Sequence, residues 1–304
     1  MRRVLVTGAT GFVGRHCLSP LLRADYEVHA ISSKPPTSDA LTGVHWHQAD
    51  LLNSDLAFGL LAEIRPTHLL HLAWYAVPGE YWTSTENFRW VQASLGLFQA
   101  FASCGGHRAV VAGSCAEYDW RYGYCSEGVT PLAPTTVYGA CKQSLGVMLD
   151  AMARQTGVSS AWGRLFFLYG PHEYPQRFVA SVIRSLLSGV HARCSHGRQI
   201  RDFLYIRDAA EAFVTLLFSN VVGSVNIASG QPVLLKDLVD VVASKLGRRD
   251  LVQLGAIAAA NAEPPVLLAD TTRLRNEAGW CPRYDLERGL EETIEWWKRQ
   301  LCTP

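Results

Sequence analysis

The chain opens with a short apolar run, Val4-Leu-Val6, and then places Gly8, Gly11 and Gly14 ahead of a helical pattern from Arg15 to about Arg23. This order constrains the fold more than any other feature. A β-branched apolar run suits a strand buried on both faces of a parallel sheet. Glycines directly after it permit a tight turn. They also let backbone N–H groups at a helix start come close to an anion such as a pyrophosphate. In isolation the motif is a common coincidence. Its place after a strand, before a helix and at the start of the chain gives it weight.

The alternation continues. Candidate strands fall at 27–31, 44–48, 68–72, 109–112 and 161–166, with helical patterns at 15–23, 51–64, 86–103 and 138–156. Such a rhythm implies right-handed crossovers and an open parallel sheet covered by helices on both faces. Beyond Gly170-Pro171 the rhythm loosens, and helices are expected at 177–187, 208–218, 235–246 and 286–301, with a short strand at 224–227. The expected organisation is a first domain over 1–169 and a smaller lobe over 170–304, with segments around 203–228 returning to the first. The alanine-rich stretch 255–265, ending in Pro264-Pro265, reads as a loop.

Lys plus Arg is 28 against 27 Asp plus Glu over 304 residues, a net charge of +1. No long basic run is present, which argues against a nucleic-acid partner. The eight cysteines form no C-x-x-C pair, so free thiols in a reducing cytoplasm fit better than disulfides or zinc. His45-Trp-His47 would place two imidazoles on one face of a strand, but without further ligands nearby no metal is expected. Three apolar residues after Arg2-Arg3 are too few for a signal peptide, and no apolar run is long enough to span a bilayer. A cytoplasmic protein with no membrane partner is expected.

Tyr138 and Lys142 lie one helical turn apart within Thr136-Val-Tyr-Gly-Ala-Cys-Lys-Gln143. Residues i and i+4 share a helix face, so phenol and ammonium point into the same space. A cation beside a tyrosine favours the phenolate and draws its pKa down from about 10. Such a pair could pass a proton to or from a carbonyl oxygen while a hydride moves. The spacing alone fits a packed ring and a solvated charge equally well; the glycine motif favours the chemical reading.

With Gly8-x-x-Gly11-x-x-Gly14 and Tyr138-x-x-x-Lys142 both in place, the chain resembles the extended short-chain dehydrogenase/reductases, the branch acting on nucleotide sugars, over nearly its whole length. The resemblance implies an α/β fold, a Rossmann-type doubly wound parallel sheet with a smaller carboxy-terminal α/β substrate lobe. It assigns cofactor contacts to Gly8, Thr10, Gly11, Phe12, Val13 and Gly14, to Ser32, Ser33 and Lys34 after the second strand, and to Asp50 and Leu51 after the third. Leu72, Ala73 and Trp74 would lie beside the nicotinamide ribose, together with Tyr138 and Lys142. Ser114, in Val111-Ala-Gly-Ser-Cys-Ala-Glu-Tyr118, matches the third catalytic hydroxyl. Ser114 and Tyr138 would bond the reacting oxygen, Tyr138 giving its proton, while Lys142 holds the ribose and lowers the Tyr138 pKa. Substrate contacts would come from Ser114, Trp74, Trp82, Phe178 and Arg201. Arg201 resembles the arginine that grips the substrate diphosphate; the alternative is an ion pair with Asp202 or Asp208. A homodimer through the 138–156 helix and the long helix before it is implied, with Val147 and Met148 as contacts.

Departures from the family pattern narrow the reaction. Members that eliminate water carry an acidic pair after the catalytic hydroxyl, where this chain has Cys115 and Ala116. Glu117, one step on, would face the opposite side if the strand continued. Reduction of a keto sugar, or epimerisation through a transient keto sugar, remains. Epimerases of the family often have an acid after the second strand for the adenosine ribose; Ala30-Ile-Ser-Ser-Lys34 has none. Two hydroxyls and a cation suit a 2′-phosphate, so NADPH is preferred over NAD, although Lys34 also fits an ordinary surface lysine. Phe167 and Trp90 stand where many relatives have asparagine. The aromatic-dense stretch 74–82 is either core or a pocket wall for the sugar ring and a C6 methyl. The expected activity is NADPH-dependent reduction of the 4-keto group of a dTDP- or CDP-linked 4-keto-6-deoxyhexose, since Glu117-Tyr-Asp-Trp120 resembles that reductase branch. The alternatives are an NAD-dependent nucleotide-sugar 4-epimerase and a non-catalytic NADP(H)-binding regulator, against which the intact Ser114, Tyr138 and Lys142 argue.

Overall fold

The computed structural model describes residues 2–34, 41–259 and 264–302. The apolar runs of the first half become the strands Arg3–Thr7, Glu27–Ser32, Val44–Gln48, His68–His71, Arg108–Ser114 and Ser159–Leu165, and Gly223–Ile227 joins them from the second half. Together they form one seven-stranded sheet, in the order 44–48, 27–32, 3–7, 68–71, 108–114, 159–165, 223–227. Every pairing in it is parallel. The strand Arg108–Ser114 is buried along its whole length, which is why it reads as a continuous apolar run rather than an alternating one.

Each face of the sheet carries its own core. Leu18, Leu21, Phe213 and Leu216 pack on one face, from the helices Gly14–Arg23 and Ile206–Phe218. Leu61, Phe98, Phe101, Leu145 and Leu149 pack on the other, from Ser54–Ile64, Glu86–Ser103 and Val137–Thr156. The last of these helices starts where Thr136 Oγ1 accepts from Gly139 N at 3.0 Å and stops at Gly157, which takes the left-handed conformation. A cap of this kind is worth about 1 kcal/mol. Strand order reverses between Arg3–Thr7 and His68–His71, so a crevice opens beyond their carboxyl ends.

A second sheet is built from Pro232–Leu234, Ile200–Tyr205, Val266–Ala269 and Tyr124–Cys125, with Phe167–Tyr169 pairing with Ile200–Tyr205. Helices Phe178–Leu187, Leu235–Leu246 and Leu286–Cys302 cover it through Val179, Ile183, Leu238, Leu290 and Trp297. Residues 255–259 and 264–265 of the expected loop lie outside helices and strands, and 260–263 lie outside the described residues. Among the described residues no helix is long and apolar enough to cross a membrane.

Histidines are packed into this framework as neutral rings. His45 and His47 do share a strand face, and His29 on the neighbouring strand joins them: His29 stacks on both and meets His47 Nε2 at 3.0 Å and Glu27 at 3.1 Å. Among the described residues no group of three or more His, Cys, Asp or Glu is arranged to hold a metal ion. Burial lowers the pKa of His29 and His47, takes His16 and His68 to about 4, and takes His71 to about 3. Because these folded-state values lie below the ordinary 6.5, the unfolded chain takes up protons that the fold refuses. Their contribution to stability is complete above pH 6.5 and is lost as pH falls toward 3. Buried Glu173, raised to about 8 by desolvation, acts in the opposite direction, so the histidine effect is isolated by substitution. His71 costs the fold on the order of 2 kcal/mol at pH 5 that it does not cost at pH 8. The melting-temperature deficit of His71→Asn relative to wild type should therefore narrow by several degrees between pH 8 and pH 5; a constant deficit would contradict this account.

Candidate active site

The glycine turn after Thr7 is closed to any side chain. Gly8 has φ +68°, and a Cβ there would lie 2.7 Å from Ala73 N. A Cβ on Gly14 would collide with the Gly8 carbonyl, and Gly11 N donates to that same carbonyl at 2.9 Å. The helix Gly14–Arg23 begins without a side-chain cap and with no acid in its first turn, leaving amide N–H groups directed at the crevice. A bare cradle of amides fits the pyrophosphate of a dinucleotide. Thr10 Oγ1 lies 3.4 Å from Ser32 Oγ at its edge.

The crevice is a cavity of about 780 Å³, within the usual range for small-molecule sites. Gly8, Thr10, Gly11, Phe12, Val13, Gly14, Ser32, Ser33, Asp50, Leu51, Leu72, Ala73 and Trp74 line it, as expected from sequence, and so do Ser114, Tyr138, Lys142, Trp82 and Arg201. Two expected residues do not. Lys34 is exposed outside the wall, because the strand ends at Ser32 and the chain turns to the surface, its backbone N–H donating to Ser32 Oγ at 3.2 Å. Phe178 instead turns into the second lobe and stacks on Phe203 at 6.5 Å. Its neighbour Arg177 lines the cavity, 5.9 Å from the Tyr81 ring.

Ser114 ends its strand, and its Oγ accepts from Ala116 N at 3.1 Å. The Tyr138 hydroxyl bonds the Ser114 side chain. Tyr138 N donates to Trp82 O at 3.2 Å, and its ring meets the rings of Tyr81 and Trp82 at 4.8 and 5.7 Å, nearly perpendicular to each. Lys142 is buried, donates to Ala112 O at 2.9 Å and lies 3.7 Å from the centroid of the Trp74 ring. Burial pulls the Lys142 ammonium down to about 7. The expected lowering of the Tyr138 pKa by this cation is not what the structure shows. Burial among aromatic rings pushes the phenol above its ordinary value, and the Ser114 hydrogen bond is what opposes that rise.

The positions after Ser114 carry no acid into the cavity. Cys115 lines it, and burial raises its thiol pKa. Glu117 does not continue the strand; it closes a 3-10 turn over Cys115–Glu117 and is buried away from the cavity. Among the described residues lining the cavity, Asp50 is the only carboxylate, at the end beside Ser32 and Ser33. The aromatic stretch 74–82 proves to be wall: Trp74, Ala76, Tyr81 and Trp82 line the cavity, joined by Trp90, Trp120, Phe166 and Phe167. Trp74 is fixed by its Nε1 donating to Asn87 Oδ1 at 2.8 Å, and Trp82 packs on Trp120 at 6.1 Å.

Arg201 is 2% exposed, donates to Ile200 O at 2.9 Å and lies 5.5 Å from the Phe167 ring. The ion-pair alternative loses its partners. Asp202 accepts from Ser229 N, Ser229 Oγ and Gly230 N at 2.7–2.9 Å, and Asp208 accepts from Arg283 N and Tyr284 N. Tyr81, Trp120, Phe166 and Arg177 were not foreseen as lining residues. Tyr81 could have been found from the aromatic density around it, whereas Arg177 had no distinguishing signal.

Comparison with known proteins agrees with this geometry. The chain matches the NAD dependent epimerase/dehydratase family over residues 4–228. It is 27% identical to UDP-glucuronic acid decarboxylase 1 of Danio rerio, over 99% of this chain and 73% of the relative. It is 26% identical to UDP-glucuronate 4-epimerase 1 of Arabidopsis thaliana, over 97% and 76%. Among solved structures, MoeE5 in complex with UDP-glucose and NAD superposes with a TM-score of 0.85 at 28% identity, covering 98% of this chain and 99% of that one. UDP-glucose 4-epimerase of Thermotoga maritima shares the fold, with a TM-score of 0.86 at 21% identity and coverage of 98% and 99%. A glycine cradle at the sheet's switch point, a Ser, Tyr and Lys gathered beside it and a family match over most of the chain lead to one conclusion: the protein belongs to the NAD dependent epimerase/dehydratase family and is an enzyme of the NAD(P)-dependent oxidoreductase type.

Proposed function

We propose that the protein reduces the 4-keto group of a dTDP- or CDP-linked 4-keto-6-deoxyhexose, with NADPH as the preferred cofactor. One observation carries this reading: around Tyr138 the cavity wall holds no carboxylate, with Cys115 and Ala116 following Ser114 and Glu117 turned away. Elimination of water from the sugar needs a second group to take a carbon-bound proton. A buried, protonated thiol and an alanine do not provide one. Carbonyl reduction needs only one proton donor, and Tyr138 is placed to be it.

The bound cofactor supplies the hydride. Ser114 and Tyr138 hold the keto oxygen, and Tyr138 passes its proton to that oxygen as negative charge develops there. Lys142 adds positive charge on the same side, held by Ala112 O. The aromatic wall of Trp82, Trp120 and Phe166 suits a sugar ring with an apolar C6 methyl. Arg201 and Arg177 are the guanidiniums available for a diphosphate. Ser32 and Ser33, with no carboxylate between them, favour a 2′-phosphate. Val147 on the Val137–Thr156 helix and Phe88 on the Glu86–Ser103 helix are more than half exposed, which supports a homodimer through those helices.

A second reading, an NAD-dependent nucleotide-sugar 4-epimerase, is favoured by the likeness to a UDP-glucuronate 4-epimerase and to MoeE5 bound to UDP-glucose and NAD. The same Ser114, Tyr138 and Lys142 would serve it.

Incubation with NADPH and a panel of dTDP-, CDP-, UDP- and GDP-linked 4-keto-6-deoxy sugars should show cofactor oxidation with a dTDP- or CDP-linked member. Tyr138→Phe should slow it by at least about 100-fold. Tightly co-purifying NAD+ together with interconversion of C4 epimers and no net oxidation would establish the epimerase instead. In the same assay Trp82→Ala should raise KM for the sugar about tenfold while leaving cofactor affinity intact. Unchanged KM and kcat would make Trp82 a bystander.

A further inference from the structure

We infer that Glu117 is the positioning residue that fixes Ser114, and through it the oxygen held at the reacting centre; this rests on the proposed role of Ser114. The Glu117 carboxylate is 1% exposed and accepts from Ser114 N at 2.7 Å, Trp162 Nε1 at 2.9 Å and Arg164 Nε at 2.7 Å. Its partners come from two neighbouring strands, since Trp162 and Arg164 lie opposite Val111 and Gly113 in the parallel register. The carboxylate thus clamps the end of one strand to the next, at the residue whose side chain meets Tyr138.

Two further observations show that this clamp is built to close tolerances. A Cβ on Gly113 would collide with the Trp162 indole nitrogen and lie 2.7 Å from Glu117 Oε1, so the space above that glycine is filled by the clamp itself. The clamp is also anchored at a distance. Arg164 donates to Tyr118 OH at 3.0 Å, and Tyr118 OH donates to Asn226 Oδ1 at 2.8 Å. Asn226 Nδ2 then donates to Cys125 O and Asp270 O at 2.9 and 3.0 Å, beside the second sheet. A buried ion pair is rarely the most stable way to fill a core. Here its geometric result is specific: Ser114 N is held by Glu117 while Ser114 Oγ accepts from Ala116 N, so both ends of the residue are fixed by the same turn.

The test removes both charges at once, because Arg164 left without Glu117 would threaten folding. Glu117→Leu/Arg164→Met should bind NADPH within about threefold of wild type and keep KM for the sugar, while kcat falls about 30-fold, as expected for a misplaced reacting group. On a Ser114→Ala background the same pair of changes should cost less than about threefold more. A kcat close to wild type, or a full additional loss on that background, would make Glu117 merely structural and overturn the inference. The crystal structure of the double variant gives a substrate-free arm: Ser114 Oγ should have left hydrogen-bonding distance of the Tyr138 hydroxyl, and Ser114 unmoved overturns the proposal. If wild type oxidises NADPH with no sugar in the panel, the reductase reading fails and this arm still decides the role of Glu117. Should the double variant not fold, Trp162→Phe removes a single donor, and the same non-additivity with Ser114→Ala is expected at smaller amplitude.

Discussion

The distance between two central strand ends governs the rest of the molecule, and a threonine–histidine hydrogen bond sets it. Thr7 Oγ1 meets His71 Nδ1 at 2.7 Å and also accepts from Leu72 N and Ala73 N at 3.2 and 3.3 Å. On its other side the same imidazole meets Ser94 Oγ at 2.9 Å. A neutral ring can donate with one nitrogen and accept with the other, and burial keeps this one neutral. Drawing Ala73 this close to Gly8 shapes the amide cradle. It also sets the starting point of the 74–82 loop that brings Trp74, Tyr81 and Trp82 around the reacting centre.

Much of this was legible in the amino-acid sequence. Val4-Leu-Val6 and its counterparts are buried on both faces and so read as unbroken apolar runs. The helices Glu86–Ser103 and Leu235–Leu246 fall where their 3.6-residue patterns put them. What escaped depends on single-residue orientation or on packing from distant segments. Phe178 and Arg177 are adjacent at a helix start, and a one-residue offset decides which enters the lobe core and which faces the cavity. Glu117 could be placed by alternation only if the strand continued past Ser114, and the capping of the turn by Ser114 ends it there. The direction of the Tyr138 pKa shift depends on Tyr81 and Trp82, more than fifty positions away in the chain. His29 joins His45 and His47 only because strand pairing makes His29 and His45 register partners.

The electrostatics of the cavity suit a particular moment in the proposed reaction. A phenol held above its ordinary pKa is a reluctant acid toward a resting carbonyl. It becomes an adequate one toward an oxygen that turns into an alkoxide as hydride arrives. The aromatic collar that excludes water from Tyr138 therefore ties proton release to the reduction itself. Lys142, pulled down to about 7 by the same dryness, holds its charge less firmly than a surface lysine would.

The chain passes between the two sheets without slack. Ser159–Leu165 of the large sheet is followed, after Phe166 alone, by Phe167–Tyr169 of the small one, and Ile200–Tyr205 runs directly into the helix Ile206–Phe218 on the large sheet. Phe166, Phe167 and Leu168 line the cavity at that crossing. A swing of one lobe against the other would have to bend these crossings together. Shape adjustment is left to the brim, where Tyr81 of one lobe faces Arg177 of the other. The binding site thus behaves as a vessel with a rigid base and an adjustable lip, selecting its guest by the shape of a standing cast rather than by closing around it.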